Sequence, residues 1–473
     1  MRAPGWGRLP PYRHGTLPPF PGWIAALGPG VVWMALAQGS GELIWWPYLI
    51  AKYGLAFLCL LIPACLLQFP LNYAIGSYTL LTGETIFQGF IRLNRVVAFL
   101  LWALMAISFL WFGSFASAGG TALAALTHFP PGWDARGQTL FWGYASIAIF
   151  FMALVFSRVV YTVVERFMEV IALVTLVGLV VACSHPTVAA QVPSFSRGLV
   201  IPSWPPLRPW DPTDATKLLT AITFAGLGGF WTLFYSYWLR EKGVGMAKTM
   251  GRVEGLAGRQ EAAFNVGVVP SEAPRSELAR WRRFLAVDSG IGIVGNILTT
   301  LLTCLLAYAV LHPQGLLPDK YELAVVQSRF FEVSWGEAGR MLFLVVAAAF
   351  LCDTWMATAD AVARIHTDCL MSFFPSVRRW SARRLYFACL VAGTVVTCLT
   401  MFFSEPGPLI LLSAVIGFLG TVSFAPLFYF LNHRWLPRHV GPQMCPQRWA
   451  AAGLAVAGVA YAALAVAYLS LRH

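Results

Sequence analysis

The stretch that decides the fold is ALAQGSGELIWWPYLIAKYG, Ala35 to Gly54. It lies in the first long apolar run of the chain, yet Gly39-Ser40-Gly41 cuts that run and Glu42 follows at once. Glycine costs up to about 1 kcal/mol against alanine inside a helix. An acid at membrane depth costs about 2.5 kcal/mol or more on insertion scales. A run that accepts both is expected to unwind there. A second cluster, FAGLGGFW from Phe224 to Trp231, places Gly226, Gly228 and Gly229 in the middle of a later apolar run. Unwound backbone is tolerated at membrane depth only where protein or a watery cavity satisfies it.

The composition agrees with a membrane protein. Of 473 residues, 58% are hydrophobic and only 11% charged, against about 25% charged in soluble chains. The 19 Trp suit aromatic belts at the two interfaces. The formal charge of +12 resides in short loops between apolar runs, which points to topology and away from nucleic acid. The nine Cys are scattered, with no CxxC and no Cys/His cluster, and read as small buried apolar residues. No nucleotide-binding P-loop, zinc-protease His-Glu-x-x-His or nucleophile-elbow pattern occurs, so neither an enzyme nor a nucleotide-driven pump is expected, and no cofactor. Lone histidines such as His366 read as loop or interface residues.

A membrane crossing needs about 20 mainly apolar residues. Eleven runs qualify: 23–51, 54–80, 97–127, 138–156, 161–183, 215–239, 285–311, 340–366, 384–403, 406–431 and 449–470. With the N-terminus in the cytoplasm, 24 of the 33 Lys and Arg fall on the cytoplasmic side, as the positive-inside rule requires. The expectation is an all-α, multi-pass cell-membrane protein embedded in a lipid bilayer, with the N-terminus cytoplasmic and the C-terminus extracytoplasmic. The breaks fall in spans 1 and 6, the first of each set of five. Interrupted spans at matching places in two halves mark a transporter site built on inverted repeats. The alternative is that these glycines only let helices pack closely. The organisation read from the chain is a cytosolic tail over 1–22, a first five-helix repeat over 23–183 and a Pro-rich, irregular extracytoplasmic loop over 184–214. A second repeat follows over 215–431, with a polar, basic, partly helical cytosolic loop at 240–284. A linker and an eleventh helix outside the repeat fill 432–473.

At these residues the chain resembles the Nramp divalent-metal transporters, over about spans 1–10. LGPGVVWMALAQGSGE, from Leu27 to Glu42, is similar to the family's first helix, where a helix-breaking Asp-Pro-Gly-Asn falls on Gly39 to Glu42. TGETIFQGF after span 2, YTVVERFMEVIALV in span 5, VDSGIGIVGN in span 7 and SAVIGFLGTVSFAPL in span 10 follow in the family's order. The resemblance implies a leucine-transporter-type fold and a divalent metal ion as substrate. It also exposes departures. The family's metal-binding Asp is Gly39 here. Its Ala-x-x-Met-Pro-His falls on Ala225, Gly228, Gly229 and Phe230, so the thioether and the His are gone. Its Gln in the tenth helix aligns with Ala414, and FLWFGSFASAGGTAL in span 3 lacks the acids of its proton path. A thioether helps select softer metals. Its loss points to a hard cation such as Mg2+ or Mn2+, and the missing acids to weak or absent proton coupling.

The expected metal site is then Gln38, Gly39, Glu42, Ala225 and Gly228. Glu42 ligates directly or through water, or else caps a half-helix. A second cation or pathway set comprises Asp353 and Thr354 in span 8, Asn296 in span 7 and Tyr235 after the second break. By the resemblance Asn296 lines the pathway or braces the broken helices, or else it makes an interhelical hydrogen bond, and Tyr235 lines or packs. Asp360 and Arg364, four residues apart, are expected to form a structural ion pair. Glu165 and Glu169 with Arg166 read as a gate near the cytoplasm. Two other readings stay open. GSG also resembles the first-helix opening of amino-acid permeases of this fold, where free amides bind a substrate carboxylate, although Glu42 would repel one. The third reading is a membrane protein that transports nothing. The oligomeric state is not legible.

Overall fold

The computed structural model describes residues 8–38, 43–157, 160–203, 208–250, 267–317, 323–403 and 406–471. Among these residues, ten helices are long and apolar enough to cross a membrane: Leu58–Thr82, Arg95–Thr127, Ala135–Phe156, Tyr161–Cys183, Pro212–Lys242, Arg275–Leu311, Arg329–Phe373, Ala382–Phe403, Gly407–Val440 and Arg448–Ser470. They correspond to expected spans 2 to 11. Expected span 1 falls on two shorter helices, Pro29–Ala37 and Leu43–Tyr53. Of the five residues between them, the last four, Gly39 to Glu42, lie outside the described residues.

Local chemistry sets the ends of these elements. Gly83, at φ 65°, ends span 2. Thr85 and Gln88 then form a capping box that starts the helix Ile86–Leu93. The Asn94 side chain accepts from the amides of Val96 and Val97 and starts span 3, and Asp134 starts span 4 in the same way. Burial separates core from periphery. The apolar window of span 6 is wholly buried, whereas only 22% of that of span 11 is. Span 6 is therefore the axis of the molecule, and spans 4, 9 and 11 present apolar side chains outward, where lipid supplies their contacts.

Several boundaries differ from the sequence reading. Span 7 begins at Arg275 rather than 285, because Leu278, Trp281, Phe284 and Leu285 recur at helical spacing and are all buried. The last ten residues of the basic loop are thus a helical extension of a span. Span 8 runs from Arg329, bent at Gly336 where φ is 58°, and continues to Phe373. The loop over 184–214 carries two short helices, Pro186–Ala189 and Val192–Gly198. The tail is not simply a coil. Its strand β1 (Arg13–Thr16) pairs in parallel with β2 (Val268–Glu272) from the basic loop. Tyr12 also reaches the Tyr78 hydroxyl at 3.0 Å, and Trp281 Nε1 donates to the Pro18 carbonyl.

Candidate functional site

The break in span 6 is built by backbone conformation. The helix Ala215–Phe224 ends at Ala225, whose ψ is 121°. Gly226 and Leu227 follow in the left-handed region at φ 65° and 59°. Gly228 is extended, and a 3₁₀ turn over Gly229–Leu233 leads into the helix Phe234–Lys242. Leu227 is a branched residue with positive φ, an arrangement that persists only where surroundings impose it, at a cost of about 1–3 kcal/mol.

Those surroundings come from four other spans. Asn296 Oδ1 of span 7 accepts the Gly226 amide at 2.9 Å. The Trp33 indole of the first half-helix donates to the Gly226 carbonyl at 3.0 Å. Thr421 Oγ1 of span 10 accepts the Gly229 amide at 3.0 Å. The Thr232 hydroxyl lies 2.9 Å from the Leu227 carbonyl and 3.1 Å from Gln68 Oε1 of span 2. Unwound backbone at this depth is thereby paid for with protein hydrogen bonds. The glycines fit closely: a Cβ on Gly228 would lie 2.0 Å from the Thr223 carbonyl oxygen, and one on Gly226 would lie 3.1 Å from that of Cys65.

Asn296, Ala225 and Gly228 are therefore brought together at this break, Asn296 as a brace on its amide. Tyr235 is buried below it. Its hydroxyl donates to Asp288 Oδ2 at 2.7 Å and its ring packs edge-on against Trp33, with centroids 4.9 Å apart. Asp288 in turn faces the start of the first half-helix, where a Cβ on Gly30 would lie 2.0 Å from the Asp288 carbonyl oxygen. The half-helix Pro29–Ala37 thus rests directly on span 7, and Gln38 closes it. Gln38 is buried, and neither its amide oxygen nor its nitrogen has a hydrogen-bond partner among the described residues. Gly39 and Glu42 lie outside those residues.

In span 8, both oxygens of the fully buried Asp353 lack a donor of ordinary geometry among the described residues. The Thr354 hydroxyl donates to the Phe350 carbonyl one turn back. Two turns on, Arg364 Nε lies 2.9 Å from both oxygens of Asp360, Nη1 lies 2.5 Å from Glu241 of span 6, and Tyr386 donates to Asp360 at 2.6 Å. Glu165 does not use Arg166. Its partner is Lys242 at 2.7 Å, at the end of span 6. No three His, Cys, Asp or Glu converge among the described residues as a ready metal cluster.

Sequence reasoning missed three groups. Gln68 and Thr421 brace the break. At the far end of the broken helices, the buried Asp214 takes Lys52 at 2.5 Å, Lys217 at 2.7 Å and the Tyr53 hydroxyl at 2.7 Å. Gln68 was findable as a polar residue inside an apolar run, and Asp214 as an acid at the start of one.

The family model described as Natural resistance-associated macrophage protein-like, Nramp, matches residues 50–470. No curated protein matches the chain. Among solved structures, a mutant of the Eremococcus coleocola manganese transporter is similar with a TM-score of 0.65 at 14% identity, covering 98% of this chain and 90% of that one. MhsT in complex with L-phenylalanine is similar with a TM-score of 0.52 at 15% identity, covering 94% and 98%. MHP1, a nucleobase-cation-symport-1 family transporter in a closed conformation with bromovinylhydantoin bound, gives 0.51 at 14% identity, covering 98% and 91%. At these identities the likeness is one of fold, and the fold serves substrates of several kinds.

Proposed function

This chain belongs to the Nramp family, and we propose that it is a secondary transporter of divalent metal cations whose substrate site lies at the broken segments of spans 1 and 6. The observation that carries the reading is the break over Ala225–Gly228, braced from spans 1, 2, 7 and 10. A protein that holds four residues unwound at membrane depth, and whose buried Gln38 and Asp353 have no ordinary partner among the described residues, has a use for them. Backbone carbonyls of Ala225 and Gly228, the Gln38 amide, Gly39 and Glu42 supply oxygen ligands only. Oxygen ligands suit a hard ion, Mg2+ or Mn2+. Asp353 with Thr354 forms a second cation position on the pathway. Span 3 carries no carboxylate between Phe109 and Leu123, so coupling to protons is weak or absent. Access alternates as the ion pairs at the two ends of the broken helices open in turn, and the cytoplasmic side is the one that bears the tail.

The organic-solute reading needs room beside the glycines. The space a Cβ would take on Gly226 and Gly228 is already filled by Cys65, Gln68 and Thr223, which weighs against it.

The test is uptake into liposomes holding the purified protein, with Mg2+, Mn2+, Fe2+ and an amino-acid panel, beside Glu42→Ala and Gln38→Ala. Saturable Mg2+ or Mn2+ uptake that falls at least tenfold in Glu42→Ala is the expected result, as for loss of a charged ligand worth about 1.5–3 kcal/mol. Unchanged uptake in that variant removes Glu42 from the site. Preference for Fe2+ with matching proton influx overturns the hard-ion reading. Amino-acid uptake without metal uptake overturns the whole proposal.

A further inference from the structure

Span 11 lies at the rim of the molecule, with the smallest buried share among the ten described spans. One face of it is nevertheless built for contact. Ala450, Leu454, Ala457 and Tyr461 recur at helical spacing and are all buried. Between Ala450 and Ala467 the only side chain with a polar atom is that of Tyr461. Its hydroxyl meets Gln68 of span 2, whose Nε2 donates to it at 2.5 Å. Gln68 is one of the braces of the break in span 6: its Oε1 lies 3.1 Å from the Thr232 hydroxyl, which lies 2.9 Å from the Leu227 carbonyl. We propose that Tyr461 is a positioning residue for the substrate site, holding the unwound segment Ala225–Gly228 in place through Gln68. The inference rests on the reading that the break is the substrate site.

The hydroxyl is the first argument. A buried hydroxyl at membrane depth costs free energy unless it is bonded. The Tyr461 ring packs edge-on against Phe418 of span 10, with centroids 6.4 Å apart, and a phenylalanine would make that contact equally well. What tyrosine adds is the bond to Gln68.

The second argument is that Gln68 cannot shift without disturbing the break. A Cβ on Gly226 would lie 3.1 Å from Gln68 Cγ, and one on Gly228 would lie 2.6 Å from its Nε2. Leu227, between those glycines, holds a φ of 59° that its surroundings must impose. Without Tyr461 the Gln68 amide keeps an unpaired buried N–H and loses the group that fixes its last torsion. The Thr232 hydroxyl and the Leu227 carbonyl then lose a fixed neighbour.

The docking of span 11 does not depend on that one hydroxyl. A Cβ on Gly453 would lie 2.8 Å from the Pro70 side chain of span 2, and one on Gly458 would lie 3.4 Å from Ala425 of span 10. The Tyr468 hydroxyl lies 3.2 Å from Thr216 Oγ1, at the far end of the helix Ala215–Phe224. Tyr461→Phe therefore removes the link to Gln68 and leaves the helix seated.

The experiment has two arms. The first is hydrogen exchange of the detergent-purified full chain, read by mass spectrometry on the peptide spanning 224–233. Its amides are protected in the unaltered chain: Gly226 by Asn296, Leu227 by the Phe224 carbonyl and Gly229 by Thr421. In Tyr461→Phe this peptide should exchange about three- to tenfold faster, as for loss of one buried hydrogen bond. The second arm is initial-rate Mg2+ and Mn2+ uptake into liposomes. KM should rise by about three- to tenfold while Vmax is nearly kept, the mark of a loosened ligand set. Gln68→Leu should reproduce both changes, and adding Tyr461→Phe to it should add little, because the hydroxyl acts through that amide. Tyr468→Phe should leave exchange over 224–233 as in the unaltered chain. The proposal is overturned if Tyr461→Phe exchanges at the unaltered rate, if KM stays unchanged while exchange quickens, or if its effect adds in full to that of Gln68→Leu. Equal quickening in Tyr468→Phe assigns the effect to the docking of span 11 and overturns it too. An unaltered chain that takes up neither ion defeats the reading of the site, while the exchange arm still decides whether Tyr461 holds the break.

Discussion

The two ends of the broken helices are closed by ion pairs built on opposite plans. At one end a single carboxylate, Asp214, is shared by two lysines, Lys52 and Lys217, whose side chains remain 15% and 23% exposed. At the other a single guanidinium, Arg364, is 3% exposed and serves two carboxylates, Asp360 and Glu241. A lysine on a flexible stem can withdraw into water and leave its partner to the other lysine. Arg364 cannot leave without withdrawing its charge from two buried acids at once. Under the proposed alternation of access, the Asp214 end would loosen by steps, and the Arg364 end would hold or move as one body.

Arg364→Met should therefore show the largest effect, a loss of about 3–5 kcal/mol of stability, as when one partner of a buried pair is removed. Thermal melting in detergent reads it, and a melting curve like that of the unaltered chain would break the comparison outright. The Asp214 end should match that loss only when both lysines go. Lys52→Met/Lys217→Met leaves Asp214 buried with tyrosine hydroxyls but no cation, and the double loss should exceed the sum of the singles, the signature of a shared partner.

Lys242→Met comes next. It removes the partner of Glu165 at 2.7 Å, where Tyr161 still donates at 3.3 Å. A charged hydrogen bond at a half-buried site is worth about 1.5–3 kcal/mol, and exposure of both side chains places the expected loss at the lower end. Lys217→Met alone should cost no more than about 1 kcal/mol, since Lys52 continues to balance Asp214. If the single substitution costs as much as the double, the lysines do not share the carboxylate and the stepwise reading fails.

These clusters also show what the sequence could carry. Asp360 and Arg364 are four apart on one helix, so their pairing is a local fact that spacing reveals. Glu241, which completes the same cluster, is 123 positions away from Arg364 in the chain, and no local pattern joins them. The same holds for Glu165. Arg166 was its neighbour in sequence, but Lys242 is its neighbour in space. The unwound segment of span 6 was legible because glycines crowd an apolar run, whereas its braces Gln68, Asn296 and Thr421 come from three other spans. Asn296 was singled out as a polar residue at membrane depth, but its role as the acceptor for one particular amide needed the fold. The basic loop is expected to be partly helical, but its charge leaves unmarked that Arg275–Phe284 is helical and continuous with span 7. The buried stripe Leu278, Trp281, Phe284 and Leu285 was the better signal.

The smallest effect belongs to Asp211, at the rim of the Asp214 end. Its carboxylate is 41% exposed and accepts from the Thr213 hydroxyl at 2.7 Å, the Thr213 amide at 3.0 Å and Lys52 at 3.1 Å. The Thr213 hydroxyl foremost, and then Lys52, hold its pKa down to about 2. An unfolded aspartate titrates near 3.9, roughly. The folded value lies below the unfolded one, so this group contributes stability that is fully present above about pH 4 and is lost as the pH falls through about 2. Asp211→Asn should leave the melting temperature almost unchanged near neutral pH and flatten its decline across that acidic window. Asp214, bonded to two lysines, keeps its own contribution in the variant, so the flattening should be partial. An identical acid profile in the two proteins would show that neither Thr213 nor Lys52 favours the charged Asp211 in the folded chain, and that this end rests on one carboxylate as strictly as the other rests on one guanidinium.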